Sequence, residues 1–436
     1  MILSLFLDKV GHHLSAWRHP GAGIERVFTL DFNTRLAQAA EAAKFDLVFL
    51  ADALTLLPEN NAAYTTAFQL EPTVLLSALM AATTRIGLAA TVSTTYTEPY
   101  HVARKFATLD LLSEGRAAWN IVTSMRESEA HNFNLPQALP HELRYERAQE
   151  FVDVVRKLWD SWTLDGFVHD RERGVLADEA RITAIHHEGK HFSVKGALNV
   201  PRRGRSQPVL IQAGASGVGK AFAARNADLI FASVTDFDAS RAFTREMKQA
   251  AEAAGRNPGH LKILPGFIPI IGKTQAEADE KKRYLDELLL PTAAIRYLSQ
   301  WLETDLTHLD ADAPIPDEVF DIDRIKGQKG RFQNIQRIST TEKLSLGQLA
   351  RRVSATRTHT SIVGTGETIA REMERWVAEG ACDGFNILPP YFPGGFDEFA
   401  GEVVPILQER GVFRREYEHR TLRGHVGLPD AEPAQA

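Results

Sequence analysis

The chain is short of cysteine: its 436 residues hold one, Cys382. That excludes an intramolecular disulfide and any cysteine-based zinc site. Long apolar runs are missing too. No stretch approaches the roughly 18 apolar residues of a membrane span. The opening run from Met1 to Leu7 stops at Asp8 and Lys9, without the basic start and the length of a secretion signal. The expectation is a cytoplasmic protein with no membrane partner. Neither sign of charge dominates. Fifty Lys and Arg stand against 56 Asp and Glu, a net charge of −6, so no general nucleic-acid-binding surface is expected. No G-x-G-x-x-G follows a strand-like run, which leaves a dinucleotide-binding domain without its phosphate turn. No G-x-S-x-G elbow argues for a hydrolase. The pairs His12-His13 and His186-His187 lack metal-binding spacing, read as surface or packing residues, and give no reason to expect a metal.

What is present is enough for a large core, with 44% hydrophobic and 24% charged residues. Eight short apolar runs alternate with longer helical patterns. The runs are 2–7, 45–50, 85–92, 116–123, 208–213, 228–234, a stretch within 261–271, and 384–388. Helical periodicity marks 31–43 with Asp31 as its cap, then 72–82, 99–112, 142–162, 217–226, 240–254, 276–290, 367–379 and 396–409. Strands that are apolar throughout and alternate with helices predict an α/β fold of the (β/α)8 barrel type. A doubly wound open sheet is the second choice. We expect one barrel over 1–426, with insertions at 53–71, about 163–207 and about 303–343, and a disordered tail at 427–436. The second insertion contains HHEGKHFSVKG, which reads as a hairpin. The third runs from acidic to basic without apolar periodicity, and reads as an irregular, mobile lid.

The sharpest local motif begins at Gly214 and reads GASGVGKA. It matches the triphosphate-binding loop G-x-x-x-x-G-K up to its final hydroxyl, where Ala221 cannot ligate Mg²⁺. A glycine-rich turn opening a helix can still offer N–H groups to an anion, with Ser216 adding a hydroxyl. Other polar residues fall at strand ends: Asp52, Thr91, Ser93, Asn120 and Ser124. In a parallel barrel these ends share the face that carries active sites. His141 and Tyr145 are spaced i, i+4 at the start of a long helix, either as a ligand pair or as a cap neighbour and a core residue.

Several stretches carry a family resemblance. They are GHHLSAWRHP (11–20), AAKFDLVFLAD (42–52), IGLAATVSTTYTEPYHVARKFATLDLLSEGRAAWNIVTS (86–124), HELRYERAQEFVDVVRKLWDSW (141–162), PVLIQAGASGVGKAFAARNAD (208–228) and ACDGFNILPPYFPGGFDEF (381–399). The chain resembles the bacterial luciferase-like flavin monooxygenases, in the subfamily of nitrilotriacetate monooxygenase component A. MRESEAHNFN (125–134) departs from the family pattern, which bears on local site contacts and not on the fold. The resemblance implies a (β/α)8 barrel that binds FMN at its C-terminal face. Flavin contacts would fall on Asp52, Thr91, His141, Tyr145 and Ser216, with Ser93 and Thr94 as neighbouring candidates for Thr91. Ser216 and Tyr145 would lie near the phosphate, Asp52 and Thr91 nearer the ring. The implied chemistry is two-component. A separate NAD(P)H:FMN reductase supplies FMNH2. A flavin peroxide formed with O2 oxygenates a small molecule such as a thioether, sulfone or aminopolycarboxylate. A homodimer or dimer of dimers is also expected. The alternatives are a non-catalytic FMN-binding barrel and a nucleotide-binding protein of the triphosphate-loop type.

Overall fold

The computed structural model describes every residue except 57–60, 203, 205–206, 215, 326–328 and 431–436. All eight expected strands form. In chain order they are β1 (Ile2–Phe6), β2 (Leu47–Leu50), β3 (Gly87–Ser93), β4 (Ala117–Val122), β5 (Val209–Gln212), β6 (Leu229–Ala232) and β7 (Lys262–Ile271). The strand Thr360–Gly364, β8, has no counterpart in the sequence reading, and the eighth expected strand is β9 (Gly384–Ile387). Each barrel strand pairs in parallel with the next, β9 pairs with β1, and the barrel closes.

The extra strand extends the barrel wall. The first half of β7 pairs with β6, Leu229 against Lys262 through Ala232 against Pro265. Its second half pairs with β8, Thr360 against Phe267 through Gly364 against Ile271. Beyond Ala232 the chain leaves the wall and β8 takes over its edge. The Oγ hydroxyl of Ser233 hydrogen-bonds the Thr358 carbonyl at 3.2 Å, which ties the two at the crossover.

Strand alternation sorts the core into two parts. Ile2, Phe6, Leu47, Phe49, Ala89, Val209 and Leu229 point into the barrel. Leu3, Leu5, Val48, Leu50, Leu88 and Leu210 point outward, against helices α1 (Leu30–Ala42), α2 (Pro72–Ala82), α3 (Pro99–Leu112) and α4 (His141–Trp159). The C-terminal segment joins the inner set through Leu422, Val426 and Leu428, so Leu428 of the expected disordered tail is buried, while Gly427, Pro429 and Asp430 are exposed. Positions 431–436 of that expectation lie outside the described residues. Among the described residues no helix is long and apolar enough to cross a membrane.

The helices end close to their expected bounds, with one cap corrected. The hydroxyl of Thr29, not Asp31, accepts from the N–H of Phe32, while Asp31 pairs with Arg26 and Arg35. The hairpin in 163–207 is present, His187–Glu188 against Ser193–Val194. After β5 come α5 (Gly217–Asn226), α6 (Phe237–Ala253) and α7 (Gln275–Glu287).

The third insertion differs in part from expectation. Its first half, 303–325, is turns with two short 3-10 stretches, but its second half forms helix α9 (Lys329–Glu342). With α8 (Pro291–Trp301) before the insertion and α10 (Leu346–Thr356) after it, α9 packs around an apolar core that includes Leu298, Phe332, Ile335, Leu349 and Val353. Charged residues between these widely spaced apolar positions hide the period from a sequence scan. Helix α11 (Gly366–Ala378) follows β8, and α12 (Gly394–Glu402), α13 (Val404–Glu409) and the short α14 (Leu422–His425) follow β9.

Candidate active site

A cavity of about 310 Å³ opens at the C-terminal end of the barrel, under the roof made by α8 and α9. Three rings form its floor: Phe6, Phe49 and Phe231, with centroids 5.5–5.6 Å apart. They are the last inward-facing side chains of β1, β2 and β6, so strand alternation puts them there.

Thr91 and Asp52 stand in the wall. The Thr91 hydroxyl donates to the Leu50 carbonyl and accepts from the Asn120 amide, both at 2.8 Å. Neither Ser93 nor Thr94 lines this cavity; Ser93 instead bonds Ser124 at 2.8 Å. Asp52 accepts from the N–H of Ala53 at 2.8 Å. Burial, helped by the carboxylates of Glu71 and Glu129, pushes its pKa up to about 6. The run that departs from the family pattern forms a short helix, Glu127–His131. Glu129 accepts from the N–H groups of Leu54, Met125 and Arg126, and so braces the turn that carries Asp52.

His141, Tyr145 and Ser216 converge beside this cavity, at the N-terminus of α5. His141 Nε2 lies 3.1 Å from Ser216 Oγ, and the His141 and Tyr145 rings are 5.1 Å apart. Ser216 caps the helix by accepting from Gly219 N–H at 3.1 Å, and no acidic side chain occupies the first turn. The cradle is tight. A Cβ on Gly219 would stand 2.8 Å from the Tyr145 hydroxyl and 3.0 Å from Ser216 Oγ. Lys220 turns away to Glu246 at 2.8 Å, so it does not serve the loop as a triphosphate-binding lysine would. Ala213, one residue after β5 and three before Ser216, lines the cavity, while His141, Tyr145 and Ser216 do not. Hydroxyls, an imidazole and a bare helix N-terminus suit a phosphate monoester. An apolar floor with a few polar wall groups suits a flat ring. The residues therefore fit FMN.

The sequence reading missed the other side of the cavity. His12, taken as a surface or packing residue, lines it, and so do Lys9, Arg126, Trp301, Arg331, Arg357 and His359. Gly11 makes room for that turn: at φ +131 its missing Cβ would stand 2.3 Å from Tyr391 Cα. The His12 and His359 rings are 5.3 Å apart, and His359 stacks on Phe231. Burial lowers the pKa of His12 to about 4 and holds His359 well below the ordinary range, so both are neutral imidazoles. Asp8 is the reverse case. Burial alone would raise its pKa, but Lys9 at 2.9 Å and Arg357 at 2.8 Å hold it well below the usual carboxylate range. The GHHLSAWRHP segment contained a signal for His12 alone. Lys9 follows β1 and Arg126 follows β4, while Trp301, Arg331, Arg357 and His359 come from the stretch running from α8 to β8.

Residues 10–382 match the model of the luciferase-like monooxygenase family. N-acetyl-S-(2-succino)cysteine monooxygenase of Bacillus subtilis is 44% identical over 427 residues, 98% of this chain and 96% of that protein. Nitrilotriacetate monooxygenase component A of Aminobacter aminovorans is 40% identical over 440 residues, 98% of this chain and 96% of that one. The crystal structure of riboflavin lyase RcaE, with modified FMN and riboflavin, superposes with a TM-score of 0.88 at 30% identity, covering 99% of this chain and 96% of that one. With its barrel, its cavity and its match over most of its length, the chain belongs to the luciferase-like monooxygenase family.

Proposed function

We propose that FMN binds with its phosphate on Ser216, His141 and Tyr145 and its ring in the cavity beside Asp52 and Thr91. The protein is a flavin-dependent monooxygenase, and reduced FMN is its cofactor. The observation that carries the site assignment is the convergence of three expected contacts on one helix N-terminus, three residues after the cavity-lining Ala213.

Reduced FMN, when bound, supplies the electrons with which one atom of O2 enters the substrate and the other leaves as water. The chain's own residues do the rest. The phosphate cradle anchors one end and fixes the register. Phe6, Phe49 and Phe231 give a dry floor, and the roof helices exclude bulk water. The Asp52 carboxyl can hold a proton near neutrality, and Thr91 offers its hydroxyl under the control of Asn120. The roof insertion, 303–343, acts as a lid that flavin and substrate order further.

A separate NAD(P)H:FMN reductase delivers the cofactor to a cytoplasmic homodimer. The chain works as one barrel domain with insertions at 163–207 and 303–343. Purified protein loaded with FMN and mixed with NADPH tests this reading. The flavin should stay oxidised, and a thioether, sulfone or aminopolycarboxylate panel should be oxygenated only after an FMN reductase is added. Rapid bleaching by NADPH alone would overturn the two-component assignment.

A further inference from the structure

The roof brings an unpaired cation to the cavity. Arg331, on the inner side of α9, lines the cavity and makes no hydrogen bond or ion pair among the described residues. Its guanidinium lies 4.1 Å from the centroid of the Trp301 ring, and its Nε is buried without an acceptor. Stacking on an indole offsets part of the cost of taking the charge from water, but it leaves the five N–H donors unused. Arg126 lies over the same ring at 5.4 Å, and Arg357 lines the same cavity as a further like charge. Arg357 is already joined to Asp8, and so is Lys9. Four cationic residues thus line the cavity against two carboxylates, Asp8 and Asp52.

A cavity meant for an apolar molecule would not be built this way. Filling it with an alkane or a fused aromatic ring would strip the remaining water from Arg331 and give it no partner. A carboxylate would satisfy the guanidinium edge with two parallel hydrogen bonds. In the site proposed above the flavin phosphate does not meet this need, since its partners there are Ser216, His141 and Tyr145. We infer that the substrate is a small organic carboxylate, held at the roof by Arg331, with its oxidisable atom directed down toward the floor. This rests on the flavin-monooxygenase reading of the cavity and deepens it by naming the substrate class and the residue that selects it.

The test is binding to the FMN-loaded protein without reductase, so that no turnover is needed. Thiodiglycolate, nitrilotriacetate and (carboxymethylthio)succinate are titrated calorimetrically, each against its neutral amide. At least one anion should bind 10-fold or more tighter than its amide. Arg331→Gln should remove that advantage and leave amide binding, FMN affinity and melting temperature unchanged. Arg331→Lys should keep part of it. The proposal is overturned by equal binding of every acid and amide, by no effect of Arg331→Gln on the anion, or by loss of FMN affinity in that variant. Retained anion binding without oxygenation when FMNH2 and O2 are supplied would instead overturn the monooxygenase reading and leave the carboxylate site standing.

Discussion

Asp8 and Arg357, 349 positions apart in sequence, meet at 2.8 Å in the cavity wall. The pair joins the turn after the first strand to the segment where the roof returns to the barrel. Asp8 is buried and also holds Lys9, so its removal leaves two cations without a counter-charge. Asp8→Ala is expected to cost about 3 kcal/mol of stability. In urea unfolding, the double variant with Arg357→Ala should be less destabilised than the two single losses added together. Simple additivity would show that the pair is not coupled. The folded pKa of Asp8 is depressed, so its contribution is present above the unfolded value of about 4 and is lost as pH falls through the folded one.

Asp52 has the opposite sign. Its folded pKa of about 6 exceeds the ordinary carboxylate value, so the folded state takes up the proton first. The stability it contributes is full below about pH 4 and is lost as pH rises through 6. The difference in unfolding free energy between wild type and Asp52→Asn, followed from pH 4 to 8, should therefore change across that window and be flat above it. A carbon-13 titration of the Asp52 carboxyl that ends near pH 4 would refute the raised pKa.

Ser216 both caps α5 and faces His141. Ser216→Ala should weaken FMN binding by about 1–2 kcal/mol, as expected for one lost hydrogen bond to a charged group. Flavin fluorescence quenching reads this directly. Mg²⁺-ATP should not bind tightly, because Ala221 cannot ligate and Lys220 is paired with Glu246. Micromolar ATP affinity with unchanged FMN binding would sink the cradle assignment.

Gly11 is a backbone position where no side chain fits. A Cβ there would collide with Tyr391 Cα and stand 2.5 Å from the Pro390 carbonyl oxygen, at a φ that L residues avoid. Gly11→Ala should lower stability by more than about 2 kcal/mol and displace His12 from the cavity. A melting temperature within a degree of wild type would contradict the close approach.

The barrel was legible in the sequence because each of its eight strands is a short apolar run buried on both faces. Leu47 to Leu50 is one such run, and Val209 to Gln212 is another. Strand β8 was not legible. Thr360, Ser361 and Gly364 look like a polar turn, and the strand is stabilised by pairing with β7 rather than by its own propensity. The meeting of His141, Tyr145 and Ser216 was readable because they sit in two local motifs. The roof side was not. Trp301, Arg331 and Arg357 lie on three segments with no common spacing, and only the packing of α8, α9 and α10 brings them over one cavity.

That packing has a consequence for how the protein can diverge. The roof closes its apolar core on itself, through residues such as Phe332, Ile335 and Leu349, and meets the barrel through ties such as Arg337 to Asp236 at 3.0 Å. A lineage can therefore rewrite α8 and α9 with little disturbance to strand pairing or to helix α5. Inherited change in chemical appetite should accumulate in the roof, while the floor beneath it stays under older constraints.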